Sequence, residues 1–285
     1  MIKKFAAALL FLACAQAPAV PLGSHAVLVV ENGTGKVLLE KNADMVVPIA
    51  SLTKLMTAMV VLDAKLDMDE RIRIDDDDVD RLKYSRSRVP VGATLSRADV
   101  LHLALMSSDN RAAAALARTF PGGPARFQAA VDAKLRALGM TQTRIHEPTG
   151  LSPANTSTAE DLVRMATAAA GYPAIKRLTT DKRDIMRIQG RQVEYHNTNR
   201  LVGARGWNIR LSKTGYTSEA GRCLIMRVRA AGKSATMVLL NAGSSAARVA
   251  DALNIRRMLA GREAPKASAR KVARRNAPAR KRRSR

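Results

Sequence analysis

The chain has 285 residues, 47% of them hydrophobic and only 3% aromatic. That length holds one large domain or two small ones with a mainly aliphatic core, and excludes a fold too small to bury one. A formal charge of +24 points toward anionic partners but carries no information about the fold.

Lys3 and Lys4 precede an apolar run over residues 5–13, followed by the small-residue pattern Ala15-Gln16-Ala17-Pro18-Ala19. This pattern predicts a secretory signal peptide over residues 1–19, with cleavage after Ala19 and an exported, periplasmic protein. The apolar run is too short to span a membrane as a helix. Phe11-Leu12-Ala13 is a poor lipoprotein box before Cys14, so lipidation there is disfavoured. Cleavage leaves Cys223 as the single thiol, in the apolar run Cys223-Leu224-Ile225-Met226, where a buried structural cysteine is expected.

Ala26-Val27-Leu28-Val29-Val30 and Lys36-Val37-Leu38-Leu39-Glu40 flank Asn32-Gly33-Thr34-Gly35, which predicts a hairpin. Pro48-Ile49-Ala50-Ser51-Leu52-Thr53-Lys54-Leu55-Met56-Thr57 then reads as the start of a helix that is apolar on nearly every side and therefore buried. Residues three apart share a helical face, so the Ser51 hydroxyl and Lys54 amine can meet at its N-terminus. A lysine desolvated there favours its neutral form, as a general base near neutral pH requires. Alone the pattern is weak, because Ser-x-x-Lys arises by chance about once in a chain of this length on average residue usage.

Asp75-Asp76-Asp77-Asp78 lacks the glycine and terminal glutamate of a calcium loop and reads as a solvated loop. Ser96 with Asp99 looks like a capping box opening a helix that runs into Ser107-Ser108-Asp109-Asn110, with a second helix over residues 112–118 beyond it. Ser108 and Asn110 thus fall at a helix-to-helix junction, and His102 reads as structural. A further helix covers residues 125–138, and Glu147-Pro148-Thr149-Gly150-Leu151-Ser152-Pro153 is a loop. Ser157 with Glu160 is expected to cap the next helix, which ends near Gly171-Tyr172-Pro173. Residues 184–188 and 192–195 flank Gly190 as a hairpin, and three antiparallel strands follow over residues 209–216, 221–228 and 235–240. Ser244 or Ser245 caps a last helix ended by Gly261. Strands from both ends of the chain, with helices between them, imply an α+β fold: one antiparallel sheet flanked by helices, with an inserted helical region.

Residues 263–285 are distinct. From Arg262 onward eleven basic residues face Glu263 alone, with no aromatic side chain. Such a tail cannot bury a core and is expected to be disordered. Without aromatics for base stacking, anchoring to an anionic envelope polymer or lipid surface is favoured over nucleic-acid binding.

Ser51-Leu52-Thr53-Lys54, Ser108-Asp109-Asn110 and Lys213-Thr214-Gly215 occur in that order, at a helix start, an inter-helix junction and a strand. Together they form the motif set of the β-lactamases and penicillin-binding proteins. The chain resembles the serine D-alanyl-D-alanine peptidases, the low-molecular-mass penicillin-binding proteins, most closely the penicillin-binding protein 7 type of endopeptidase. The likeness is carried by the Ser51 and Ser108 segments, by Glu147-Pro148-Thr149-Gly150-Leu151-Ser152 and by Ser212-Lys213-Thr214-Gly215-Tyr216, and spans residues 26–259.

The resemblance implies a β-lactamase/transpeptidase-like fold and a catalytic domain over residues 20–262. It implies peptidoglycan peptides as substrate and β-lactams as covalent inhibitors. By it, Ser51 is the nucleophile and Lys54 its base, Ser108 relays a proton to the leaving amine, and Asn110 binds Lys54 and substrate. Lys213 and Thr214 recognise a carboxylate, Gly215 lets an extended peptide lie close, and the oxyanion hole uses the backbone N–H groups of Ser51 and Tyr216. Neither metal nor cofactor is expected; His25, His102, His146 and His196 show no ligand spacing. A serine β-lactamase, with Glu147 or Glu160 activating water, and a non-catalytic peptidoglycan-binding protein with a polyanion-binding tail stay open as alternatives.

Overall fold

The computed structural model describes residues 22–261; the signal segment, Cys14 and the basic tail lie outside them. Among the described residues, eleven strands and seven α-helices follow in chain order. Strands β1 (Ser24–Glu31), β2 (Val37–Lys41) and β3 (Val47–Pro48) lead into α1 (Lys54–Asp63). Then come β4 (Arg71–Arg73), β5 (Thr94–Ser96), α2 (Arg97–His102), α3 (Asn110–Arg118), α4 (Gly123–Ala137), β6 (Thr156–Ser157), α5 (Ala159–Ala169) and α6 (Pro173–Thr180). The chain closes with β7 (Arg183–Ile188), β8 (Arg191–His196), β9 (Ile209–Thr217), β10 (Gly221–Ala230), β11 (Lys233–Ala242) and α7 (Ser245–Leu259).

The main sheet has the order β2-β1-β11-β10-β9, so the first strands of the chain pair with the last. All of its pairings are antiparallel. Successive side chains alternate between faces. Val27, Val29, Leu224, Met226 and Leu239 pack with Ala252, Ile255 and Leu259 of α7. Ala26, Leu28, Ile225, Val238 and Leu240 pack instead into the helical region around α1. Because both faces are covered, the central strands are apolar almost continuously. Helix α1 is buried from Lys54 through Val61, as its all-round hydrophobicity predicts. Strand β9 forms one edge of the sheet, and the Ser51 turn packs against it.

Four local expectations are corrected. Helix α6 was not foreseen, because Pro173 reads as the stop of α5 and is equally suited to the first position of a new helix. The cap of α5 is Thr158, whose side chain accepts from the Asp161 N–H, while Ser157 is buried in β6. Helix α3 starts at Asn110, two residues early, because Asp109 caps it by accepting from the Ala112 N–H at 3.0 Å. Within the aspartate run, Asp78 is buried rather than solvated. It accepts two 2.8 Å bonds from the Arg118 guanidinium, one to each carboxylate oxygen.

Other readings hold: Ser244 caps α7, Cys223 is buried with its thiol pushed up to about 11 by desolvation, and β7 and β8 form a hairpin. His102 sits at the end of α2, its ring nitrogens 3.2 Å from Asp181 and 3.3 Å from Asp184. Among the described residues no helix is long and apolar enough to cross a membrane.

Candidate active site

Ser51 lies in a tight 3-10 turn, Ala50–Thr53, that runs directly into α1. The turn is held from several sides. Ile49 N–H donates to the Asn155 carbonyl, and Pro48 pairs with Thr156. Ala50 adopts a positive φ of 47°, a conformation that L-residues avoid unless their surroundings enforce it. Two glycines supply that enforcement. A Cβ on Gly150 would fall 2.0 Å from the Ala50 carbonyl oxygen, and one on Gly215 would fall 2.9 Å from the Ile49 carbonyl oxygen. The loop and the edge strand therefore clamp the Ser51 turn at backbone-to-backbone distance, which bare glycine alone permits.

Lys54 is 1% exposed. Its Nζ is 2.8 Å from Ser51 Oγ, 2.7 Å from Asn110 Oδ1 and 2.6 Å from the Thr149 carbonyl oxygen. The last two groups can only accept. In the neutral form of the amine these two would take its two N–H bonds, which would leave its lone pair toward the Ser51 hydroxyl. Desolvation lowers the Lys54 pKa to about 8, against the opposing pull of Glu147, Asp109 and Asp80.

The opposite wall comes from a deformed helix. Residues Leu103–Ser107 form a π-helical turn continuing α2, after which Ser108 takes the left-handed conformation at φ 59°. That break turns Ser108 toward the cleft and starts α3 at Asn110, one turn of chain away from the Ser107 hydroxyl bonded back to Leu103. Lys213 reaches across from β9 and donates to Ser108 Oγ at 2.8 Å. Its pKa is driven well below the usual lysine value by burial and then by repulsion from Lys54. Thr214 donates to Thr198 Oγ1 at 2.6 Å. Tyr216 is 54% exposed at the rim, with the Arg222 guanidinium 3.4 Å from its ring centroid.

The residues expected to act on substrate thus gather at one cleft of about 760 Å³, lined by Ser51, Ser108, Asn110, Thr214, Gly215 and Tyr216 together with Arg200, Arg222 and Arg248. Lys54 and Lys213 lie just beneath its surface, bonded to Ser51 and Ser108. The cleft is strongly cationic, and a carboxylate is the chemistry it suits.

Sequence reasoning missed three contributors. The Thr149 carbonyl is one; as a main-chain acceptor it leaves no mark in the residue type. Ser85 is another, accepting from Asn110 Nδ2 at 2.8 Å. The third is Arg248, buried under the cleft beside Arg222. Glu147 also has a structural task. Its carboxylate accepts from the Thr149, Gly150 and Ser152 N–H groups and from Asn155 Nδ2, so it shapes the loop that presents Thr149. Glu160 is exposed in the first turn of α5. Among the described residues no group of three or more His, Cys, Asp or Glu side chains is arranged to hold a metal.

An antiparallel sheet with a helical region on one face, and a Ser–Lys pair between them, defines a β-lactamase-like acyl-transfer fold. The D-alanyl-D-alanine carboxypeptidase family matches residues 13–244, and the chain belongs to it. The chain is 48% identical over 240 residues to the D-alanyl-D-alanine endopeptidase of Pseudomonas aeruginosa, covering 84% of this chain and 77% of that protein. It is 44% identical over 237 residues to the Escherichia coli enzyme of the same name, covering 82% and 76%. Among solved structures, the Streptomyces K15 DD-transpeptidase superposes with a TM-score of 0.75 at 26% identity, over 82% of this chain and 96% of that one. Penicillin-binding protein D2 from Listeria monocytogenes, in its ampicillin-bound form, gives 0.73 at 29% identity, over 86% and 100%. The protein is a serine-type D-alanyl-D-alanine peptidase.

Proposed function

We propose that the enzyme is an endopeptidase that opens D-alanyl cross-links between peptidoglycan stem peptides through an acyl-enzyme on Ser51. The observation that carries this reading is the 2.8 Å Ser51 Oγ–Lys54 Nζ contact, with Lys54 pinned from behind by Asn110 and Thr149. Ser51 attacks the D-alanyl carbonyl while neutral Lys54 takes its proton. The oxyanion that forms is met by the backbone N–H groups of Ser51 and Tyr216. Ser108, bonded to Lys213, relays to the leaving amine the proton that Lys54 took from Ser51, and the C–N bond breaks, leaving Lys54 neutral again. Water then attacks the ester, and the same base returns Ser51 to its starting state. Lys213 and Thr214 bind the substrate carboxylate, and an extended peptide adds along the edge strand β9.

The 48% and 44% identical relatives are both endopeptidases, which favours cross-link cleavage over removal of a terminal D-alanine. Incubation with a cross-linked muropeptide dimer and with a monomeric pentapeptide, resolved by mass, tests this. Faster dimer cleavage is expected; turnover of the pentapeptide alone would overturn the endopeptidase assignment. Penicillins, which mimic the D-alanyl terminus, are expected to label Ser51 and to leave slowly. Rapid nitrocefin turnover would instead indicate a β-lactamase. Saturation of Glu147 by its own loop argues against that outcome, since it leaves that carboxylate without a free oxygen for a deacylating water.

Residues 1–19 and 263–285 complete the reading as an export signal into the periplasm and a basic anchor for an anionic envelope polymer or lipid surface. Deleting residues 263–285 should flatten the salt dependence of envelope binding; an unchanged slope would count against the anchor.

A further inference from the structure

Behind Asn110 a chain of hydrogen bonds continues away from the reacting atoms. Asn110 receives Lys54 on Oδ1 and donates from Nδ2 to Ser85 Oγ at 2.8 Å. Ser85 in turn gives its N–H to Asp80 Oδ2 at 2.7 Å, and its hydroxyl, close by, helps hold the Asp80 carboxyl below its ordinary value. The other oxygen of Asp80 accepts from the N–H groups of Leu82 and Lys83, at 2.8 and 3.0 Å. One carboxylate thus folds residues 80–85 into a tight loop and fixes where its serine hydroxyl sits.

The direction of this chain matters because an amide has two faces. With Oδ1 toward Lys54, Asn110 accepts from the amine; rotated by a half-turn, it would present a donor to a donor. The Ser85 hydroxyl is what distinguishes the two. If its own hydrogen goes to the Asp80 carboxylate, its oxygen can only accept, and only Nδ2 fits against it. We infer that Ser85 and Asp80 are positioning residues for the reaction, holding Asn110 in the one orientation that directs the Lys54 lone pair at Ser51.

This inference rests on the acyl-transfer reading of the Ser51–Lys54 pair. Three carboxylates act on Lys54 in the fold: Glu147 from the loop before β6, Asp109 at the start of α3, and Asp80 from residues 80–85; Lys213 on β9 is the neighbouring amine, and its own pKa is lowered by burial and by Lys54. The three carboxylates favour the lysine cation. Loss of the Asp80 charge therefore makes Lys54 easier to deprotonate and moves the acid limb of acylation to lower pH. The Asp80→Asn variant keeps a side-chain oxygen for the Leu82 and Lys83 N–H groups, while its NH2 cannot accept from the Ser85 N–H, so the turn is kept and the hold on Ser85 is released.

The test is the rate of covalent labelling by a fluorescent penicillin, followed from about pH 5 to 10 with the full chain, alongside melting temperature. Ser85→Ala is expected to slow acylation about tenfold to a hundredfold, the loss typical of a hydrogen bond involving a charged partner. Ser85→Thr, which keeps the hydroxyl, should restore most of the rate. Asp80→Asn should lower the plateau and shift the acid limb downward, which a merely structural defect would not do. Wild-type enzyme labelled in a Ser51-dependent way, with Ser85→Ala within twofold of it or Asp80→Asn leaving the acid limb in place, overturns the inference while the acyl-transfer reading stands. A wild-type enzyme that takes no label overturns both. Should Ser85→Ala fail to fold, the Asp80→Asn profile and the Ser85→Thr rate carry the decision.

Discussion

Lys54 Nζ and the Thr149 carbonyl oxygen are 2.6 Å apart, the shortest of the three contacts that fix the amine. The carbonyl holds the amine against Ser51 without itself being able to take or give a proton. With the Lys54 pKa lowered to about 8, the neutral base accumulates as pH rises. Penicillin acylation should therefore rise about tenfold per pH unit on the acid side and level off above about pH 8. Lys54→Arg, whose guanidinium stays charged throughout, should lose about a hundredfold to ten-thousandfold with no recovery at high pH. Recovery at pH 10 in that variant would show that the base lies elsewhere.

Gly150 is the next test of the geometry. Its φ of +83° is unfavourable for any side chain, and an added Cβ would meet the Ala50 carbonyl oxygen at 2.0 Å. Gly150→Ala should cost about 1–3 kcal/mol or more in unfolding free energy and displace the Ser51 turn, so acylation falls further than stability. A variant with normal melting and normal labelling would show that the clamp is not needed.

The proposed recognition of a carboxylate by Lys213 and Thr214 makes a cross-prediction. Amidating the substrate's terminal carboxylate should lower kcat/KM in the wild type by about tenfold to a hundredfold. In Lys213→Ala, which removes the cation, the same amidation should matter much less. Equal penalties in both enzymes would assign the carboxylate to another group in the cleft, with Arg248 the first to examine.

The Asp78–Arg118 pair is a stability prediction away from the chemistry. Asp78 is nearly fully enclosed and bonded bidentately. Arg118→Ala strands that carboxylate in the interior, with the Asp75 N–H as its remaining partner, and should cost about 2–4 kcal/mol. Denaturant unfolding measures it; a loss below about 0.5 kcal/mol would place the pair among ordinary surface contacts.

How far the sequence reveals this enzyme depends on where the information resides. The side chains proposed to do the chemistry, Ser51, Lys54, Ser108, Asn110 and Lys213, depend on identity as well as on place, and their motifs carry the cleft. Strands β1, β10 and β11, buried on both faces, leave long aliphatic runs that read directly. What escaped notice is what residue type does not encode. The Thr149 carbonyl would be the same atom on any residue. The one buried aspartate among four, Asp78, is chosen by Arg118 forty positions later. Ser85 is an unremarkable serine until Asn110 is seen above it. Pro173 fits both the end of one helix and the start of another, so α6 was lost between two valid readings.

The central claim is that an acyl-enzyme on Ser51 cleaves D-alanyl cross-links. Purified Ser51→Ala, incubated with fluorescent penicillin and separately with a cross-linked muropeptide dimer, tests it most directly. The account predicts a folded protein that takes no covalent label and leaves the dimer intact over times in which the wild type consumes it. Dimer cleavage retained at the wild-type rate would contradict it.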